Sequence, residues 1–120
     1  MASQFEVSAG KAIGYVSGGA VTQLTNKSTG VTLNQPCGQI TTHDATLNAN
    51  TEVSFTVTCS SVAATDVIIM GVQSGASSGI YIPSVSATAD GSFEVTLSNV
   101  GSSAAEAVVL NYAVIKASAS

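Results

Sequence analysis

Side-chain catalysis needs a nucleophile, a base and an acid brought to one point, and this chain carries few such groups. Its sole histidine, His43, is followed by Asp44. Neighbouring residues on an extended chain point to opposite sides, so the pair does not read as a base with its orienting carboxylate. A hydrolytic triad needs a nucleophile, a base and an orienting group in one geometry, and only His43 could be its base. His43 therefore reads as a loop histidine. Cys37, Cys59 and His43 are too widely spaced for a zinc pattern. The seven acids, Glu6, Asp44, Glu52, Asp66, Asp90, Glu94 and Glu106, are scattered. Asp90 and Glu94 are near enough in sequence to meet across a hairpin, but Asp90 is better explained by an Asp-Gly turn. A glycosidase pair also wants a cleft with aromatic platforms. Phe5, Tyr15, Phe55, Tyr81, Phe93 and Tyr112 are the only aromatics, and at least half fall on core faces. The glycine-rich pieces at 17–19 and 74–79 lack the lysine and the strand-to-helix setting of a phosphate loop. Asn26-Lys27-Ser28 matches a glycosylation sequon, but without a secretory signal the match reads as accidental. No catalytic, cofactor-binding or metal-binding residue is expected, and the sequence reads as that of a non-enzyme.

Composition narrows the partners. Of 120 residues, 45% are hydrophobic and only 8% charged, with a net charge of −4. Ordinary domains are about one-quarter charged. Lys11, Lys27 and Lys116 are the only fixed cations. Nucleic-acid binding depends on cations gathered on one face, so neither nucleic acid nor an anionic membrane is an expected partner. Disorder does not account for the low charge, because the chain is rich in Val, Ile and Thr, which suit a pleated, half-buried surface. A surface of Ser, Thr and Gly suits a protein packed among neighbours. The N-terminal stretch lacks a basic start followed by an apolar run, so synthesis in a cytoplasm without the usual export is expected. In that setting Cys37 and Cys59 are more often free than bridged. Cys59 falls in phase with Val53, Phe55 and Val57 and reads as a buried thiol, with a disulfide as the alternative.

The elements that must position these residues read as strands throughout. Residues 1–19 form a flexible N-terminal arm, and 20–120 a single β-sandwich domain. Candidate strands run over 20–25, 30–34, 38–42, 52–59, 66–72, 79–87, 92–98 and 107–117. The run 52–59 alternates strictly, with Val53, Phe55, Val57 and Cys59 on one face. So does 92–98, with Phe93, Val95 and Leu97 inward. The run 66–72 is apolar on both faces and reads as a central strand covered on both sides. Pro83 marks an edge or a bulge. In 107–117, Val108, Leu110, Tyr112 and Val114 share one face. Val109, Ala113 and Ile115 line the other, as in a central strand or one buried by a partner subunit. The fold class expected is all-β, an antiparallel sandwich or jelly roll of about eight short strands.

Several stretches carry a resemblance. They are 21–34 (VTQLTNKSTGVTLN), 37–41 (CGQIT), 54–57 (SFTV), 63–67 (AATDV), 91–93 (GSF) and 110–116 (LNYAVIK). Together they resemble a family of small virion structural proteins from the head and tail gene cluster of tailed bacteriophages. The resemblance covers roughly residues 20–117 and carries over no active-site residue. It implies a virion component, foremost a head decoration (cement) protein on the capsid surface. Such a protein is expected to associate with itself, as a homotrimer, and with the major capsid protein. A tail-fibre or receptor-binding domain is the alternative, with Tyr81 as its candidate recognition aromatic.

Overall fold

The structure is a computed structural model that describes residues 18–116. Of the arm expected over 1–19, residues 1–17 lie outside the described residues, and Gly19 already belongs to the first strand. Among the described residues there are ten strands and no helix. In chain order they are β1 (Gly19–Thr22), β2 (Val31–Thr32), β3 (Cys37–Thr41), β4 (Thr46–Leu47), β5 (Thr51–Thr58), β6 (Val67–Ser74), β7 (Tyr81–Ala89), β8 (Ser92–Asn99), β9 (Ala104–Ala105) and β10 (Val109–Ile115). They form a first sheet ordered β1-β3-β10-β6, a second ordered β2-β5-β8-β7, and a small β4–β9 ribbon.

The arrangement is sandwich-like because each sheet has one apolar face and must bury it against another element. Paired residues on neighbouring strands share a face. In the second sheet Val57 pairs with Phe93, Phe55 with Val95 and Val53 with Leu97. In the first sheet Ile40 pairs with Leu110, and Tyr112 and Val114 follow on the same face. These side chains form one core together with Val31, Cys59 and Val108. Phe93 and Tyr112 meet across the two sheets with ring centroids 5.3 Å apart and tilted by 56°.

Three expectations need correction. Ten strands replace eight because β4 and β9 are two-residue pieces within stretches too short and polar to show a period. The pairing is mixed: β1 runs parallel to β3, and β2 parallel to β5. The cause is that the chain changes sheet after almost every strand, so sequence neighbours are seldom paired neighbours. The β7–β8 hairpin is the one direct sequential pairing among the described strands. Finally, β6 is an edge strand of the first sheet, beside β7 of the second, where a central, doubly covered strand was expected. Pro83 does lie on an edge strand, β7, and a bulge follows between Val85 and Ala87.

Gly91 closes the β7–β8 hairpin at φ 82°, a left-handed conformation that side chains resist. A Cβ there would touch nothing within 4 Å. Gly91→Ala is therefore expected to cost only the backbone term, about 1 kcal/mol. Denaturant unfolding measures it, and a loss of several kcal/mol would mean that the turn makes contacts absent from this geometry.

Candidate functional site

The residues first considered for chemistry are placed in structural roles. His43 and Asp44 do approach, with Nδ1 and Oδ1 3.5 Å apart. The geometry is still not that of an oriented base. Nδ1 accepts the Ala45 backbone N–H at 3.0 Å, so its lone pair is used and the neutral ring carries its proton on Nε2. Asp90 Oδ1 caps Ala64 N at 2.8 Å, while Glu94 Oε1 accepts Ser86 Oγ at 2.6 Å. Those two acids are engaged separately. Asn26 Oδ1 accepts the Ser28 backbone N–H at 2.9 Å, so the sequon serves as a local turn. Cys37 and Cys59 are not bridged to each other, and Cys59 is buried as expected. Among the described residues no three His, Cys, Asp or Glu side chains gather in a metal-binding group.

Sequence reasoning missed a polar tie at one end of the sandwich. Lys27 is only 4% exposed. Its ammonium donates to the backbone carbonyls of His43 and Glu106, the latter at 2.6 Å. Burial pulls its pKa below the usual lysine value, and the Asp44 and Glu106 charges pull the other way. Gln23, also buried, donates from Nε2 to the Lys27 and Thr29 carbonyls and accepts His43 N at 3.0 Å. The tie joins the loops after β1, β3 and β9. Beside it, the Glu106 carboxylate accepts Ser77 Oγ at 2.8 Å and Tyr81 Oη at 3.0 Å. No residue in it offers a free nucleophile or a cavity, so its chemistry is that of a clasp.

These bonds make stability depend on pH. The Ser77 hydroxyl bond, with help from Tyr81 and Lys27, holds the Glu106 pKa below its usual value. Its contribution is therefore present above the ordinary carboxylate range and is lost as pH falls through that range. Tyr81 is pushed up to about 12, first by burial and then by Glu106. Burial, then the nearby Cys59, pushes Tyr112 up as well. Folded tyrosines that keep their protons stabilise the fold fully below about pH 10, and this is lost as pH climbs towards about 12. Lys27, with its lowered pKa, opposes them slightly, adding stability as pH approaches its ordinary value. Denaturant midpoints measured against pH are expected to fall on both sides of a neutral plateau. Tyr81→Phe should flatten the alkaline limb and Glu106→Gln the acid limb; unchanged limbs would refute the assignment.

The two outer faces of the sandwich differ in kind. On the second sheet the outward hydroxyls bond one another. Ser54 and Thr96 lie 2.8 Å apart, Thr96 donates to Ser86 at 2.9 Å, and Ser86 donates to Glu94 at 2.6 Å. Those hydroxyls satisfy one another, while Ile82 on the edge strand β7 stands exposed on the same face. On the first sheet Ile69 pairs with Ala113 and Val67 with Ile115. All four point outward, since Ile68, Met70, Tyr112 and Val114 between them face the core. Val67 is 50% exposed, Ile69 54% and Ile115 45%. Beside this apolar corner, Gln39 donates to Gln73 at 2.7 Å across Asn111. Lys116 and Asp66 pair at 2.7 Å at its rim. Two shallow depressions that share Asn111 and Tyr112 cross the face from Gly18 and Gly19 to Ile69. The second apolar face of 107–117 was the legible signal for this surface. Tyr81, by contrast, is half-buried and hydrogen-bonded to Glu106, so it is not an exposed recognition aromatic.

No protein-family model matches the chain, and neither does any curated protein or solved structure.

Proposed function

We propose that this chain is a structural component of a tailed-phage virion, a head decoration (cement) protein that works without catalysis, as a homotrimer bound to the major capsid protein. The observation that carries self-packing is the unpartnered apolar corner of the first sheet, Val67, Ile69, Ala113 and Ile115. Exposed apolar patches of this kind mark association surfaces. The corner alone is smaller than a stable interface, which buries roughly 1,200–2,000 Å² in total. It therefore serves as the apolar centre of a larger contact whose rim includes Lys116, Gln39 and Gln73. A protein that binds only the assembled lattice stabilises that lattice by mass action. The resemblance supplies the phage setting, and the sparse cations speak against nucleic acid as the partner.

Copy number in purified particles, relative to the major shell subunit, tests the proposal by quantitative mass spectrometry. A number equal to the shell subunit, or a fixed fraction near it, is expected. A handful of copies would move the protein to the tail, and complete absence would overturn the virion reading.

A further inference from the structure

We infer that the apolar corner of the first sheet is the docking surface for residues 4–10 of a second copy of this chain. The inference rests on the self-association proposed above and names what does the associating. Three observations lead to it.

The first is the surface itself. Val67, Ile69, Ala113 and Ile115 lie on β6 and β10, at the β6 side of the first sheet. The opposite face of β6 and β10 is filled by the core, and among the described residues nothing covers this side.

The second is the chain available to cover it. Seventeen residues precede Gly18. Within them Phe5, Val7 and Ala9 alternate with Glu6 and Ser8. On an extended strand that spacing puts three apolar side chains on one side and the polar pair on the other. A stripe of three apolar residues suits a corner of four, and Glu6 and Ser8 would remain in water.

The third is reach. The segment leaves the body at Gly18, beside β1, which is the far edge of the same sheet. The sheet is only about 14 Å from β1 to β6, three strand spacings of about 4.8 Å. The thirteen residues from Phe5 to Gly18 extend to about 43 Å. That length is enough for the stripe at 5–9 to pass beyond its own sheet and onto a neighbour. Each copy then donates one arm and accepts one. Such a head-to-tail contact closes into a ring when the rotation allows it, and a closed trimer leaves no corner bare.

Cysteine cross-linking of the full chain tests this. In a Cys37→Ser background, Val7→Cys and Ile69→Cys are combined, and the oxidised protein is run without reductant and digested to find the linked peptide. A bond between residues 7 and 69 of different chains is expected. A bond within one chain would overturn the exchange in favour of a strap on the same molecule, and no bond would overturn the docking itself. Val7→Asp gives a second reading. It should weaken association about tenfold or more in sedimentation, as expected for a charge placed in an apolar contact. If the unmodified chain sediments as a monomer, the self-association reading fails too. If it is an oligomer that Val7→Asp leaves unchanged, only the arm docking fails.

Discussion

Phe93→Ala is expected to remove about 3–5 kcal/mol of unfolding free energy, a large share of the 5–15 kcal/mol that holds a typical domain. The size follows from where the ring sits. Phe93 is 1% exposed on β8, the strand flanked by β5 and β7. It pairs with Val57 on one side and Thr88 on the other, and its ring meets Tyr112 of the opposite sheet. Truncation therefore opens a cavity between the sheets, where β-sheet backbones cannot collapse without breaking ladder bonds. Phe93→Leu, which keeps most of the volume, should cost markedly less. Tyr112→Phe is the partner control. It keeps the ring contact and removes only the hydroxyl bond to the Gln35 carbonyl at 2.8 Å, for about 1 kcal/mol. Chemical denaturation of the three variants checks the order, and an equal loss in Phe93→Leu and Phe93→Ala would show that volume is not what the site needs.

The same ring shows what a sequence displays well. Strict alternation over 52–59 and 92–98 placed Val53, Phe55, Val57, Phe93, Val95 and Leu97 on the core face, because a strand with one wet side writes its burial into every second residue. Gly91 in its turn and Pro83 on its edge were legible for local steric reasons. Long-range pairing was not. Nothing in Val31-Thr32 says that it will lie parallel to β5, since two residues carry no period and parallel partners are set by distant contacts. The reading of β6 failed differently. An apolar run with two hydrophobic faces looks the same whether its second face is covered by its own chain or left for another. The clasp around Lys27 was hidden because its acceptors are backbone carbonyls, which have no side-chain signature. The apolar corner was half legible: the second face of 107–117 already called for either a central position or a partner. β10 has the central position, and Ile115 still stands in solvent.

Lys27→Met should be nearly as costly as Phe93→Ala, about 3 kcal/mol or somewhat more. Two effects compete. Removing a buried ammonium relieves its desolvation, and replacing buried ion pairs by apolar residues of similar size can be neutral or stabilising. That relief requires the partners to be replaced as well. Here the partners are the carbonyls of His43 and Glu106, and no side-chain substitution can take them away. Methionine keeps the packing of the lysine stem while leaving both acceptors without their donor, at about 1–3 kcal/mol for each buried group. The orphaned carbonyls therefore outweigh the relieved charge. Because Gln23 holds the Lys27 and Thr29 carbonyls and the His43 N–H, the loss should loosen three loops together. Hydrogen exchange is then expected to rise at the His43 amide as well as near residue 27. The variant should also lose the small gain in stability that Lys27 gives as pH rises towards its ordinary pKa. A Lys27→Met protein as stable as the parent, with unchanged exchange at His43, would mean that water fills the ammonium's place and that the clasp is not what joins this end of the sandwich.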